Sequence, residues 1–324
     1  MNIQDIANPV QDDLVQFESA LMNTLHSDIP LAEQVIRYIA NKQGKRLRPI
    51  LVFLTARLHG GTTLKTLQSS IVIEMLHTAT LVHDDVVDDS SLRRGSPTVN
   101  NIWDNKISVL VGDFLFSKTL TSMLNIHDFQ ALSIFSETAR QITEGELLQI
   151  EMDHDFEMDE STYFDLISKK TASLFSASCQ LGVLSVKEDE RDRHIMRDFG
   201  HHLGMAFQIK DDLLDYTGTE STLGKPTGND IRENKITLPL IHALSQARED
   251  IKKQVMEILH KDDKKDSDIR SVVSFVQRSK GVEYALGIAR KYARDALALL
   301  SSYPSTDYKD SLTRLVDFTV DRDK

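Results

Sequence analysis

The fold of this chain is constrained most by two aspartate clusters that lie inside apolar sequence. The clusters occupy Asp84–Asp88 (DDVVD) and Asp211–Asp215 (DDLLD). Each places acids at positions i, i+1 and i+4, and positions i and i+4 share one face of an α-helix, about 6 Å apart along its axis. Carboxylates seldom lie among Leu, Val and Ile unless a cation compensates their charge. The pattern therefore predicts two helices whose acidic faces share hard divalent cations, and Mg²⁺ is the usual ion where a phosphate also binds.

One such cluster is also compatible with a solvated acidic face whose apolar neighbours point the other way. Two copies that lie 127 positions apart (211 − 84), each with basic residues nearby in the sequence, favour a site for metal ions and a diphosphate. The predicted metal site contains six carboxylates: Asp84, Asp85, Asp88, Asp211, Asp212 and Asp215.

The spacing of apolar residues is helical along most of the 324-residue chain. Glycine (14 residues) and proline (7 residues) are both below average usage, and no run of alternating polarity is long enough to indicate a sheet. We therefore expect one all-α domain over residues 1–324. Helices are predicted over Leu64–Asp89 and Leu238–Leu259, and the chain is expected to fray beyond about Phe318.

The overall composition excludes several classes of protein. The net charge of −11 argues against general affinity for nucleic acid or anionic membranes, although local Lys and Arg can still bind an anionic substrate. The only cysteine, Cys179, cannot form an intrachain disulfide, which suits a reducing cytosol. The longest stretch without Asp, Glu, Lys or Arg, Thr171–Val186, is too short and too polar to span a membrane, and the acidic start of the chain is unlike a signal peptide. We expect a soluble, cytoplasmic protein without a transmembrane segment.

Basic side chains flank the first aspartate cluster in the sequence. Lys45 and Arg48 lie on a glycine-containing loop, where Arg offers a bidentate fork for phosphate oxygens and Lys a mobile point charge, although such residues are more often plain surface. Arg93 and Arg94 follow the cluster after one short turn, so they either reach what the metals hold or interact with the helix dipole. His77 lies two helical turns before the first aspartate on a similar face, which leaves a binding role and a structural role equally open.

Further motifs follow these in order along the chain. They are Gly44–Pro49 (GKRLRP), Glu74-x-x-His77, His83–Asp88 (HDDVVD), Leu92–Gly95 (LRRG), Gly112-Asp113, Lys170–Ala172 (KTA), Phe207–Asp215 (FQxxDDxxD) and Leu223–Pro226 (LGKP). From Gly44 to Pro239 this ordered set resembles the trans-isoprenyl diphosphate synthases, the head-to-tail prenyltransferase family. One position departs from the family's pattern, because Asn234 stands before Lys235 where the family usually has glycine.

The resemblance implies an antiparallel helical bundle of the isoprenoid synthase type, with a central cavity, usually as a homodimer. It implies condensation of isopentenyl diphosphate with an allylic diphosphate such as farnesyl diphosphate, with about three Mg²⁺ ions in the substrate complex. By the same resemblance Asp84, Asp88 and Asp211 ligate Mg²⁺, and Asp85, Asp212 and Asp215 support the cluster or bind its waters.

The resemblance also distributes the basic and polar residues between two substrates. The expected contacts of isopentenyl diphosphate are Lys45, Arg48, His77 and Arg94. The expected contacts of the allylic diphosphate are Arg93, Lys170, Thr171, Gln208, Lys225 and Lys235. Four of these are the expected catalytic residues at the reacting centre: Lys170, Thr171, Gln208 and Lys225.

The expected product length depends on the helix that carries the first cluster, because the prenyl tail should grow along it toward its N-terminal turns. Ala79 and Thr80 lie about one turn before Asp84, where short-chain relatives tend to have aromatic residues. Their small side chains leave the path open, so the chain resembles medium- to long-chain, octaprenyl-like synthases. Either Met75 or Leu76, one turn further back, could close the end of the path.

Two other functions compete with this interpretation. A class I terpene cyclase shares the fold and the first aspartate motif, but it needs no second diphosphate site and its second metal motif is usually mixed Asn/Asp, Ser/Thr and Glu. A noncatalytic subunit of a heteromeric synthase tends to lose aspartates from its clusters, whereas this chain retains all six.

Overall fold

The secondary structure of the chain is helical almost throughout. The structure, a computed structural model, describes residues 2–42, 44–93, 95–153, 158–217, 227–261 and 263–322. Within these ranges the only strands are β1 (Leu92–Arg93) and β2 (Ser96–Pro97), which pair antiparallel directly after the first aspartate cluster. The predicted all-α fold is confirmed. Two predicted site residues, Arg94 and Lys225, lie outside the described residues.

The helices of the first part of the chain are α1 (Ile3–Ala7), α2 (Gln11–Leu25), α3 (Pro30–Asn41), α4 (Leu47–Leu58), α5 (Leu64–Val87), α6 (Val99–Trp103), α7 (Asn105–Leu124) and α8 (Phe129–Asp153). Those of the second part are α9 (Glu160–Ile167), α10 (Ser173–Leu184), α11 (Glu190–Thr217), α12 (Asn229–Arg232), α13 (Leu238–Ser245), α14 (Glu249–Leu259), α15 (Asp266–Arg278), α16 (Gly281–Leu300) and α17 (Asp307–Asp321). A 3₁₀ turn, Asn8–Val10, links α1 to α2, and a π turn, Ser168–Ala172, links α9 to α10.

Helix α5 carries the first aspartate cluster at its C-terminal end. A reciprocal cap starts the helix: the Thr63 hydroxyl accepts from the Thr66 amide at 3.3 Å, and the Thr66 hydroxyl accepts from the Thr63 amide at 3.0 Å. The helix ends at Val87, with Asp88 as its C-cap and Asp89 in the left-handed region at φ 47°. The cluster therefore lies at the C-terminal end of α5, where the chain passes from the buried core to the surface.

Helices α5 and α7 approach closely at Gly112. A Cβ atom at this position would lie 2.2 Å from His83 Nε2, so a larger residue would require the His83 ring to move. The His83 ring lies 3.3 Å from the Val109 carbonyl and 3.4 Å from an Asp113 carboxylate oxygen. The Gly112-Asp113 motif is thus a helix-packing feature beside the first cluster.

The helical structure predicted over Leu238–Leu259 is confirmed, and it forms two helices because Arg248 is extended (ψ 150°) and begins the separate helix α14. The expectation of fraying beyond Phe318 is wrong, because α17 continues to Asp321 and Arg322 is buried.

Contacts group the described chain into two compact units, each with its own core. The first contains Met1–Ala139, Leu174–Gly200 and Leu300–Leu315, and its core includes Phe17 and Phe53, whose rings meet edge to face at 6.4 Å. The second contains Arg140–Ser173, His201–Leu299 and Val316–Lys324. Its core joins α9, α11, α13, α15 and α16 through fully buried side chains such as Tyr163, Ile209 and Tyr216.

We expect Gly182→Ala to destabilise the protein by about 1–3 kcal/mol, because it overpacks the contact between α10 and α4. The added methyl would lie 2.0 Å from Thr55 Oγ1 and 2.5 Å from the Val52 carbonyl, and Thr55 is already bound to the Leu51 carbonyl at 2.7 Å. The free energy of unfolding in urea measures the effect.

The matched control for this variant is Gly287→Ala on α16, where nothing lies within 4 Å of the new methyl. It should stabilise the protein by up to about 1 kcal/mol through helix propensity alone. Equal effects of the two substitutions would show that the contact between α10 and α4 is looser than described.

Candidate functional site

The first aspartate cluster separates into solvent-facing and buried acids. Asp84 is half-buried and Asp88 is exposed, whereas Asp85 is buried. Arg93, on β1, donates from Nε to Asp85 Oδ1 at 2.6 Å. Burial raises the pKa of the Asp85 carboxyl above its ordinary value, and the charge and hydrogen bond of Arg93 oppose that rise. The hairpin after α5 thus positions Arg93 against the aspartate helix.

Arg48 and His77 lie together on facing helices, α4 and α5. Arg48 Nη1 lies 3.0 Å from His77 Nε2, and because a guanidinium has no acceptor, the His77 nitrogen accepts this bond. The guanidinium also lies 5.0 Å from the Phe175 ring centroid, within range of a cation–π contact. Lys45 is exposed on the loop before α4. These three predicted isopentenyl diphosphate contacts therefore lie on adjoining elements of one unit.

Arg46 anchors that loop, a role that the sequence analysis did not assign. It is in the left-handed region (φ 51°) and bonds Glu18 Oε1 at 2.8 Å and Glu74 Oε1 at 2.7 Å. Glu74 is buried on α5, so the basic loop is fixed to the helix that carries the first cluster. The acidic position in the Glu74-x-x-His77 pattern was the available signal for this pairing.

In the second cluster Asp212 is the centre of a buried hydrogen-bond network. Tyr163 Oη donates to Asp212 Oδ2 at 2.6 Å and Gln208 Nε2 donates to Oδ1 at 2.8 Å. Thr171 Oγ1 donates to Gln208 Oε1 at 2.8 Å. Burial raises the pKa of Asp212 to about 7, and the two hydrogen bonds act against the rise. The network therefore fixes the orientation of two of the four residues predicted at the reacting centre, Thr171 and Gln208.

Asp215 is also buried, and its carboxylate binds backbone amides. Oδ1 accepts from the Asn229 amide at 3.1 Å and Oδ2 from the Asp230 amide at 3.0 Å, at the start of α12. Lys235 follows this helix and pairs with Glu233 at 3.0 Å. Asn234 has φ 61°, so it adopts the left-handed conformation that a glycine would also favour.

Asp211 is the most accessible acid of the second cluster and bonds Arg322. Arg322 Nη2 lies 2.6 Å from Asp211 Oδ1. This arginine was missed by sequence reasoning, and no periodicity or motif could have paired residues 111 positions apart (322 − 211).

Lys170 lies in the π turn between α9 and α10. Its Nζ donates to Glu146 Oε2 on α8 at 2.8 Å. The wide turn is defined by the Ser173 amide, which bonds the Ser168 carbonyl, and such turns often occur at functional positions. The Lys170–Glu146 pair was not predicted, because α8 carries no motif.

The predicted chain-length residues lie on α5 in the interior of the first unit. Met75, Leu76 and Ala79 are each at most 1% exposed, and Thr80 is half-buried with its hydroxyl bonded to the His77 carbonyl at 2.9 Å. A larger side chain at Ala79 would therefore occupy interior space rather than solvent.

The donor set suits Mg²⁺. Asp84 and Asp88 in the first cluster and Asp211 in the second offer hard carboxylate oxygens that are at least partly accessible. Within the described residues no three carboxylate, imidazole or thiol groups converge into a complete cage. Mg²⁺ usually keeps several waters and binds through one or two carboxylates plus substrate phosphates, so an incomplete protein cage is compatible with it.

Comparison with known proteins assigns the family. Residues 29–276 match the polyprenyl synthetase family. The chain belongs to that family. It is 37% identical to an all-trans-nonaprenyl-diphosphate synthase (geranyl-diphosphate specific) of Rhodobacter capsulatus, over 98% of each chain, and 34% identical to the octaprenyl diphosphate synthase of Escherichia coli (strain K12), over 100% of each.

A solved structure supports the same assignment. The polyprenyl synthase of Caulobacter crescentus CB15, described as complexed with calcium and isoprenyl diphosphate, superposes with a TM-score of 0.93 at 34% identity, covering 100% of this chain and 98% of that one. The resemblance to trans-isoprenyl diphosphate synthases is thereby confirmed. By class the protein is a polyprenyl diphosphate synthase, a transferase of prenyl groups.

We expect Tyr163→Phe to destabilise the protein by about 1–3 kcal/mol, with the larger loss at high pH, because it removes a donor from a buried carboxylate. A carboxyl group whose pKa is higher in the folded state binds protons on folding, so stability falls as the pH rises toward that pKa. In the variant the pKa of Asp212 should rise further, so the variant should lose more stability than the unmodified protein as the pH rises. Urea unfolding at about pH 5.5 and about pH 8 measures the difference.

The control is Tyr216→Phe, which removes a bond of 3.0 Å between two neutral groups, the Tyr216 hydroxyl and Thr237. Its loss, about 1 kcal/mol, should not depend on pH over this range. A pH-independent loss in Tyr163→Phe would contradict the role given to the Asp212 charge.

Proposed function

We propose that the protein condenses isopentenyl diphosphate head-to-tail with an allylic diphosphate and releases an all-trans polyprenyl diphosphate of medium to long chain. The observation that carries the proposal is the division of each aspartate cluster into buried acids and more accessible acids, the latter at Asp84, Asp88 and Asp211. Arg48 lies against His77 on the helix that carries the first cluster, and Lys45 is exposed on the loop before α4; both are basic groups with anion-binding chemistry.

The reaction begins when the allylic C–O bond breaks and diphosphate leaves with the electron pair. The double bond of isopentenyl diphosphate attacks the delocalised cation, a C–C bond forms, and a proton is lost to the departing diphosphate. Charge concentrates on the leaving group in the transition state, so fixed cations near it accelerate the step. Mg²⁺, when bound, would supply Lewis-acid stabilisation of that leaving charge.

The residues of the first unit would bind the diphosphate of isopentenyl diphosphate. Arg48 would present its guanidinium to phosphate oxygens, and His77 would hold it in place through the bond of 3.0 Å. Lys45, exposed on its loop, would add a mobile charge. By the family pattern Arg94 would complete this set.

The allylic diphosphate would be bound by Arg93, Lys170, Lys225 and Lys235, with Thr171 and Gln208 beside the reacting carbons. Lys170 pairs with Glu146, and Arg93 pairs with Asp85. A diphosphate oxygen would add to or exchange with these partners. Asp84, Asp88 and Asp211 would ligate about three Mg²⁺ ions, because Mg²⁺ prefers carboxylate and phosphate oxygens. Asp85, Asp212 and Asp215 would support the cluster.

Product length is proposed from α5 and from the relatives. The small, buried Ala79 leaves interior room along the helix, and the similar proteins of R. capsulatus and E. coli are named nonaprenyl and octaprenyl diphosphate synthases. Both features support a product of about that length, with Met75 or Leu76 closing the end of the path.

An exposed apolar stripe on α7 supports a homodimer. Val109, Leu110, Leu120 and Leu124 are 39–61% exposed on one side of the helix, and the adjacent Phe129 is 89% exposed. By length and composition alone, α7 is the one described helix that passes as a candidate membrane span. It carries Lys106, Asp113 and Lys118, and its opposite side is buried, so we favour a subunit contact in a soluble, cytoplasmic enzyme.

A product assay tests the proposed function. Purified protein would be incubated with Mg²⁺, labelled isopentenyl diphosphate and farnesyl diphosphate, and dephosphorylated products would be resolved by length. Mg²⁺-dependent products well beyond the primer are expected. Products that stop after one addition would contradict the long-chain proposal, and a lack of incorporation with any primer would indicate a noncatalytic subunit. Ring closure of the primer without use of isopentenyl diphosphate would indicate a terpene cyclase.

We expect Ala79→Phe to shorten the product by several isoprene units without abolishing turnover. The aromatic ring would fill interior space one turn before Asp84, where the growing tail is proposed to pass. The same product assay measures the length distribution. The matched control is Ala56→Phe on α4, another fully buried alanine, which tests whether overpacking alone changes length. An unchanged distribution in Ala79→Phe would refute the proposed path.

A further inference from the structure

Residue Arg322, which follows α17, is held against the second aspartate cluster by three contacts. Its guanidinium lies 4.0 Å from the Phe207 ring centroid, and Nη2 donates to the Phe207 carbonyl at 3.0 Å. The same nitrogen lies 2.6 Å from Asp211 Oδ1. Only 5% of the Arg322 side chain is exposed, against 40% for Asp211. The guanidinium is therefore an internal group of the cluster rather than a surface charge.

Arg322 and a metal ion would compete for the same carboxylate. The proposed function makes Asp211 a Mg²⁺ ligand, and Mg²⁺ binds carboxylate oxygen at about 2.0–2.1 Å in a strict octahedral arrangement. A guanidinium and a divalent cation on one carboxylate repel each other strongly where solvent is partly excluded. Unless a diphosphate adds negative charge between them, only one of the two cations is favourable at Asp211.

We propose that Arg322 is the resident counter-cation of the second cluster and that the metal–diphosphate complex displaces it from Asp211. This inference rests on the proposed function. It gives binding an order: Arg322 neutralises Asp211 in the substrate-free protein and opposes premature metal binding there. The incoming diphosphate carries enough negative charge to accompany the metal.

The position of Arg322 against the second cluster carries an energetic cost that favours its release. Arg322 Nε is buried without a hydrogen-bond partner among the described residues, which costs free energy as long as the side chain stays docked. The stacking on Phe207 offsets part of this cost. By linkage, docking of Arg322 and metal binding at Asp211 must oppose each other by the same factor.

Metal binding without substrate tests the proposal directly. Mn²⁺ would replace Mg²⁺ as a spin-visible ion, and free Mn²⁺ would be measured by electron paramagnetic resonance. Arg322→Gln should bind Mn²⁺ about fivefold or more tightly than the unmodified protein. Arg322→Lys, which keeps the charge, should bind within about twofold of it. Arg314→Gln removes a charge from α17, eight residues before Arg322, and should leave Mn²⁺ affinity unchanged.

A double-mutant cycle separates competition from a structural effect. In an Asp211→Asn background, Arg322→Gln should no longer change Mn²⁺ affinity. Unchanged or weaker Mn²⁺ binding in Arg322→Gln, with thermal unfolding intact, would overturn the counter-cation role. If Asp211→Asn does not weaken Mn²⁺ binding in the Arg322→Gln background, where no guanidinium competes, the metal site of the proposed function fails instead.

Hydrogen exchange gives a second test. It uses the unmodified protein, so misfolding of a variant cannot affect the result. Addition of Mn²⁺ together with inorganic diphosphate should accelerate amide exchange in residues 316–322 as Arg322 leaves Asp211. Mn²⁺ alone should have little effect at the same concentration. Equal or slower exchange in the presence of both ligands would contradict displacement.

Discussion

The structure of both aspartate clusters depends on the hydrogen bonds and ion pairs that compensate their buried carboxylates. An uncompensated carboxylate in apolar surroundings costs several kcal/mol, so each buried acid has a dedicated partner. Asp85 has the Arg93 guanidinium, Asp212 has the Tyr163 and Gln208 donors, and Asp215 has two backbone amides. These bonds fix the hairpin after α5, the π turn and the start of α12 around the clusters. The accessible aspartates lie on the same helical turns as the buried ones, so the bonds of the buried acids also hold the accessible acids in position.

The same rule governs the cations of the site. Arg93, Lys170 and Arg322 are each paired with a carboxylate at 2.6–2.8 Å. Cations held in this way keep their orientation, so they would lose less side-chain entropy on the proposed binding of a diphosphate. Arg46 differs, because its two acidic partners tie a loop to α5 and its position is structural. Pairing thus orients these cations on a chain whose net charge is −11.

Local sequence information predicted the helices and the family, and it named the candidate site residues. The apolar spacing around Asp84 and Asp211 defines α5 and α11, and the order of motifs indicated the family. The partners of the buried acids could not be predicted. Tyr163, Glu146 and Arg322 are distant in sequence from the groups they bind, and only tertiary packing brings them near. The π turn was equally inaccessible, because its hydrogen-bond pattern leaves no signature in polarity. Arg322 shows the limit best, since mixed charge at a helix end normally indicates fraying and here burial on Phe207 outweighs it.

Asp215 ties the end of α11 to the start of α12. Its carbonyl accepts from the Gly228 amide at 3.0 Å, and its carboxylate accepts from the Asn229 and Asp230 amides. The first bond uses the main chain, whereas the other two need an acceptor on the side chain. A substitution of Asp215 therefore alters the start of α12 as well as the charge of the second cluster, so a loss of metal binding in such a variant would not by itself identify Asp215 as a metal ligand.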